Sequence, residues 1–195
     1  RKIDPRTYYD WDNTRRLVRE LMPMAVMFSD AGPDVRWVGN EHGVAGEPCW
    51  ATLNVAGRYP GGSSDGLNSG ERPGTHWLPA ECDVSIRPGW FYHASEDRQV
   101  KSLIHLLDIY FKSVGRNSVM LLNVPPDRKG LFADPDVKRL REFGEAVRSL
   151  TANDLAKGGR VTAPGTKGGE TDLAKIIDGN SQTFWAGPEG TTNAT

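Results

Sequence analysis

Twice in this chain an amphipathic helical pattern runs straight into a short, almost unbroken apolar run. From Asp10 to Leu21 the apolar residues Trp11, Leu17, Val18 and Leu21 recur at helical spacing, Pro23 ends the pattern, and Ala25-Val-Met-Phe-Ser29 follows. From Asp97 to Val114 a second helical face is built from Val100, Leu103, Ile104, Leu107, Tyr110, Phe111 and Val114. Ser95 is a reasonable start signal for it, Gly115 stops it, and Ser118-Val-Met-Leu-Leu-Asn123 comes next. Apolar runs this short suit strands covered on both faces, and helices feeding such strands imply an α/β repeat around a parallel sheet. A third helix opens at Asp134-Pro135, an acidic residue and then proline in the first turn, with Val137, Leu140, Phe143, Val147 and Leu150 as its inner stripe. The order helix, strand, long loops, helix, strand, helix is most economically part of a (β/α)8-like (TIM) barrel, whose active site lies on loops following strand C-termini.

After Leu150 the helical period ends and Gly, Thr, Lys and Ala take over, with Lys157-Gly-Gly-Arg160 and Lys167-Gly-Gly-Glu170 as turn signals. A boundary near Thr151 therefore separates residues 1–150 from residues 151–195. The second segment, with Ile176-Ile-Asp-Gly-Asn180 and Thr183-Phe-Trp-Ala186, reads as the first strands of a β-sandwich, too short to close one of roughly seven strands.

Charge and composition remove several classes of function. Basic and acidic residues number 24 and 25, for a net charge of −1 with no long run of either sign, which argues against nucleic acid or an anionic membrane as the partner. Apolar stretches such as Val119-Met-Leu-Leu-Asn-Val124 are far too short to span a bilayer. Cys49 and Cys82 make neither a disulfide framework nor a metal cluster, although one bridge between them stays open. The opening Arg-Lys-Ile-Asp-Pro-Arg has no apolar core of the signal-peptide kind and reads as an interior cut or the resumption of a chain.

The common catalytic signatures are missing too: no dinucleotide or phosphate-binding glycine loop, no Gly-x-Ser-x-Gly elbow and no Cys-x-x-Cys. His42, His76, His93 and His105 are scattered rather than paired three or four apart, which disfavours zinc. What remains is a set of carboxylates, Asp30, Asp34, Glu41, Glu47, Glu81 and Asp83, in loops interleaved with Trp37, Trp50, Trp77 and Trp90. Indole faces pack on sugar C–H surfaces, carboxylates and arginines bind hydroxyls, and a glycosidase needs two carboxyl groups across the scissile bond. Composition reaches a carbohydrate site and stops there.

Three blocks carry the reading further. Phe28-Ser-Asp-Ala-Gly-Pro-Asp-Val-Arg-Trp-Val-Gly-Asn-Glu41 resembles the acid/base segment of the α-L-fucosidases of glycoside hydrolase family twenty-nine. Trp77-Leu-Pro-Ala-Glu-Cys-Asp-Val-Ser-Ile-Arg-Pro-Gly-Trp-Phe-Tyr-His93 and Gly115-Arg-Asn-Ser-Val-Met-Leu-Leu-Asn-Val-Pro-Pro126 resemble the segment before the family's seventh-strand loop and its last barrel strand. The run Val38-Gly-Asn-Glu41 is closest to the branch that cuts α-1,3/1,4-linked, Lewis-type fucose.

This resemblance implies the second half of the barrel over 1–150, with the N-terminal half as its partner, and a discoidin-like sandwich beginning in 151–195. It implies a retaining exo-glycosidase acting on fucosylated oligosaccharides or glycoconjugates, without metal or cofactor, and secreted or periplasmic. Glu41 is the expected general acid/base. Arg36 is expected on a fucose hydroxyl or ring oxygen, Trp90 against the C6 methyl, Trp37 stacked on substrate, and Glu81 and Asp83 on the neighbouring sugar or on Glu41. Trp50 and Trp77 are expected to pack. The family's nucleophile, an aspartate in a Trp-Phe-Asp-Gly-type strand end, has no counterpart here, since Asp10 and Asp12 fit a helix start instead. The alternative is a non-catalytic carbohydrate-binding protein on the same scaffold, and a weaker one pairs Glu41 with Asp83 in another barrel glycosidase.

Overall fold

Two aspartates start the chain's first helices. Asp4 caps α1 (Pro5–Tyr8), its Oδ1 accepting from the Arg6 N–H at 3.0 Å, and Asp10 caps α2 (Trp11–Leu21) by accepting from the Asn13 N–H at 3.0 Å. Such caps satisfy amide donors that have no partner within the helix. The computed structural model describes residues 3–163 and 170–190. It falls into two units, Arg1–Gly144 and Glu145–Thr195, so the division lies within the helix Asp134–Thr151, upstream of the composition boundary near Thr151.

The first unit is built on a parallel sheet. Strands β1 (Phe28–Ser29), β2 (Val35–Trp37), β5 (Ala80–Ser85) and β6 (Ser118–Asn123) pair side by side in that order, all parallel. In register, Trp37 lies level with Glu81 and Glu81 with Val119, while Asp83 lies level with Leu121 and Ser85 with Asn123. Because side chains alternate along a strand, these residues share one face. Ala80, Cys82 and Val84 point the other way and are buried, Ala80 and Cys82 in a cluster with Val38, Ala45 and Cys49. A parallel sheet is ordinarily covered on both faces. Here the site-bearing face remains open, with Val119 47% and Leu121 49% exposed.

β6 coincides with the predicted strand, and α4 (Asp134–Thr151) with the third predicted helix. The run Ala25–Ser29 contributes only Phe28–Ser29, with Val26 exposed. The central strands β2 and β5 fall inside the stretch read as loops, because Arg36, Glu81 and Asp83 interrupt any apolar pattern there. Between them the chain makes a two-stranded antiparallel ribbon, β3 (Thr52–Leu53) with β4 (His76–Trp77). Leu53, Leu67 and Leu78 seal that insertion, with Trp37 and Val55 against them.

The second predicted helix is two pieces. A 3-10 turn, Ala94–Gln99, precedes α3 (Leu103–Ser113), which begins at Ser102 and not at Ser95, the Ser102 hydroxyl accepting from the His105 N–H at 3.2 Å. Lys101 breaks the run. Its backbone N–H goes to Ile86 O at 2.9 Å and its ammonium to Ser85 O at 2.7 Å and Arg87 O at 3.2 Å.

In the second unit a 3-10 helix spans Glu170–Ile176, and Asp178 organises a turn by accepting from the Asn180 N–H and the Thr183 hydroxyl, both at 2.7 Å. The runs Ile176–Asn180 and Thr183–Ala186 form no strand among the described residues, since a strand exists only with a paired neighbour. Lys167-Gly-Gly lies outside the described residues.

Candidate active site

Glu41 follows β2 in a loop stitched on both sides of it. The Asn40 side chain donates to Val44 O at 2.8 Å and accepts from the His42 N–H at 3.0 Å, bridging over Glu41. His42 pairs with Val84 of β5 in an isolated bridge. Gly43 has φ +74°, and a Cβ there would meet Ile109 Cγ2 at 2.6 Å and Val84 Cγ1 at 3.0 Å. Only glycine allows the loop to seat this closely on β5 and α3. Glu41 is left exposed at the C-terminal edge of the sheet.

The carboxylate is held from across a cleft. Trp90, in the turn after β5, donates its indole N–H to Glu41 Oε2 at 3.0 Å. Both residues line a cavity of about 370 Å³ together with His42, Ser85, Lys101 and His105. Burial holds the Lys101 ammonium below the usual lysine range. The cleft thus combines a solvent-facing carboxylate, an indole face and a cation spent on backbone carbonyls.

Trp37, Glu81 and Asp83 meet beside it. The Trp37 indole N–H donates to Asp83 Oδ1 at 2.6 Å. Burial pushes the Asp83 carboxyl up, the Trp37 bond pulls it partly back, and the charge of Glu41 pushes it up further. Glu81, two residues earlier on the same face, is also raised, by burial and then by the charge of Asp83. Carboxylates gathered near one another resist ionising together.

Arg36 departs from the expected sugar contact. It has no exposed surface. Its Nε donates to Leu67 O at 2.8 Å, one terminal nitrogen to Leu78 O, and the other to Trp50 O at 2.8 Å and to Cys49 Sγ at 3.6 Å. Level with the buried Ala80 in register, the side chain supplies donors to carbonyls of the insertion that would otherwise be buried without them. Among the described residues its guanidinium is therefore occupied by backbone carbonyls and a thiol. Trp77, on β4, is exposed in this chain, while Trp50 carries Arg72 over its ring at 4.7 Å. Cys49 and Cys82 are both buried free thiols.

Comparison with known proteins places this geometry. Residues 56–150 match the Alpha-L-fucosidase family model. "Alpha-L-fucosidase 1" of Arabidopsis thaliana is 43% identical over 95% of this chain. The chain belongs to the α-L-fucosidase family. It spans 37% of the length of that Arabidopsis relative. A glycoside hydrolase 29 family member from an unknown rumen bacterium superposes with a TM-score of 0.77 at 40% identity, over 85% of this chain and 30% of its own. A Ruminococcus gnavus fucosidase in complex with fucose gives a TM-score of 0.81 at 29% identity, over 94% of this chain and 39% of its own.

Within this family member three polar residues of the site escaped the sequence reading. Ser85, Lys101 and Asn123 all bond to the turn that carries Trp90. Lys101 was hidden by reading one helix across it, and the signal that exposes it is Ser102, a capping residue directly before an apolar run. The same turn is anchored by Arg87, fully buried, whose Nε donates to Asp136 Oδ2 at 2.9 Å and whose terminal nitrogens reach Asp97 at 2.8 Å and His93 O at 3.2 Å.

Proposed function

We propose that the intact protein is a retaining, exo-acting α-L-fucosidase in which Glu41 is the general acid/base. The supporting observation is the pairing of an exposed glutamate, at the C-terminal edge of a parallel sheet, with an indole N–H that occupies one of its two oxygens. The other oxygen, Oε1, is then free to carry a proton to the glycosidic oxygen as the bond to the anomeric carbon breaks. A carboxylate from outside this chain attacks that carbon and forms a fucosyl ester. Glu41, now ionised, takes a proton from water, the water oxygen displaces the ester, and fucose leaves with its original anomeric configuration.

Trp90 presents an apolar ring to the sugar, and Trp37, Glu81 and Asp83 border the position of the leaving sugar. The substrate is a fucosylated oligosaccharide or glycoconjugate, with α-1,3/1,4 linkage favoured by the Val38-Gly-Asn-Glu41 run. Such substrates lie outside the cell, which agrees with a secreted or periplasmic enzyme. The captured fucose of the Ruminococcus gnavus relative fits the same chemistry.

The test is azide rescue in the full-length enzyme. Glu41→Ala should lower kcat/KM on fucosyl oligosaccharides by about 10²–10⁴. Azide should restore turnover of a nitrophenyl fucoside and yield fucosyl azide with the configuration of the substrate, because two inversions occur. A product of inverted configuration would make Glu41 the nucleophile, and absence of any rate loss would remove it from catalysis.

A further inference from the structure

The turn that presents Trp90 to Glu41 is fastened by side chains to which the acid/base reading gives no task. Ser85, at the end of β5 and 6% exposed, donates its hydroxyl proton to Gly89 O at 2.7 Å and accepts from the Arg87 N–H at 3.3 Å. Asn123, level with it at the end of β6, donates from Nδ2 to Ser85 Oγ at 3.1 Å and to Trp90 O at 3.1 Å. The two hydrogens of one amide thus reach both ends of the turn. Trp90 is consequently held by its carbonyl on one side and engages Glu41 Oε2 through its indole N–H on the other.

We infer that Asn123 and Ser85 are positioning residues for the acid/base: they set the Trp90 turn so that the indole occupies Oε2 and leaves Oε1 to move the proton. The inference rests on the fucosidase reading above and extends it from Glu41 to groups that never touch substrate. Its physical basis is the short path from Asn123 to the carboxylate, a hydrogen bond to the backbone of Trp90 and a hydrogen bond from its ring. A few neutral hydrogen bonds are a small part of a domain's stability, whereas displacing a reacting group by about 1 Å costs on the order of 10²-fold in rate.

Leaving-group dependence separates positioning from mere support. A sugar leaving group needs a full proton, while a nitrophenolate departs with little help. In the full-length enzyme, Asn123→Asp places an acceptor against the Trp90 carbonyl, and Ser85→Ala removes the bond to Gly89. Each should lower kcat/KM on a fucosyl oligosaccharide by about 10–100-fold, and on the nitrophenyl fucoside by no more than about threefold. Equal losses on both substrates, or a lowered melting temperature with the ratio unchanged, would overturn the inference. Should Asn123→Asp not fold, Ser85→Ala carries the test alone. Glu41→Gln, measured alongside, separates the two ideas. If it too fails to discriminate between substrates, the acid/base assignment falls, and if only it discriminates, positioning by Asn123 and Ser85 falls.

Discussion

Glu81 and Asp83 show how a residue's setting can convert stability into chemistry. Both carboxyls are held above their ordinary range, by burial first and by neighbouring carboxylates second. Between the ordinary and the raised values the folded state binds more protons than the unfolded one, so stability falls as pH rises through that window. Asp83→Asn keeps an oxygen to accept from Trp37 and removes the charge. Melting curves across pH should therefore show Asp83→Asn and Glu81→Gln gaining on the parent as pH climbs above about 4, with the difference closing near about pH 3. A difference independent of pH, or one of opposite sign, would refute the account. The loop that carries Glu41 stands out in the sequence because its surrounding motif is specific, and the Trp90 turn does likewise. The setting of Arg36 does not, because a sequence shows that a guanidinium follows Val35 but not which way the strand turns it, and the carbonyls it satisfies belong to residues up to 42 positions away.

At the scale of elements, what was readable is what repeats. β6 is apolar along most of its length and α4 carries a clear stripe, so both emerge from periodicity alone. β2 and β5 are as regular in space, yet their site-facing positions hold Arg-flanked tryptophan and two carboxylates, and the pattern that marks a buried strand is lost where function intervenes. The segment between β5 and α3 is tied to α4 by a buried ion pair. Arg87 and Asp136 are both fully buried and bonded through Nε. Removing Asp136 leaves the buried guanidinium only the part-exposed Asp97 and the His93 carbonyl, so Asp136→Ala should cost about 3 kcal/mol by chemical denaturation. Arg87→Met combined with Asp136→Leu should recover most of that loss, since an apolar pair of similar volume avoids the desolvation penalty. Equal destabilisation by the single and double variants would show that packing around the pair, and not its charge balance, is what matters.

On the scale of the whole molecule, the open sheet face and the second carboxylate that the proposed mechanism calls for are one problem seen twice. The face bearing Trp37, Glu81, Asp83, Val119 and Leu121 is apolar enough to need cover, and this chain spans 37% of its Arabidopsis relative. The retaining mechanism proposed above requires a second carboxyl about 5–5.5 Å from the first. Among the described residues, Asp83 is a carboxyl whose proton affinity the charge of Glu41 raises. Yet Asp83 is poorly placed as a nucleophile, because its Oδ1 is spent on the Trp37 indole and both burial and the charge of Glu41 raise its proton affinity. A nucleophile must instead be ionised in the resting enzyme. A fluorinated fucosyl fluoride, which forms the ester quickly and releases it slowly, should therefore label the full-length protein on a carboxylate outside residues 1–195 and leave every peptide of this segment unmodified. Peptide mapping reads the result directly. A label on Asp83 would put both catalytic carboxyls on this sheet and would require a different arrangement of substrate across Trp37.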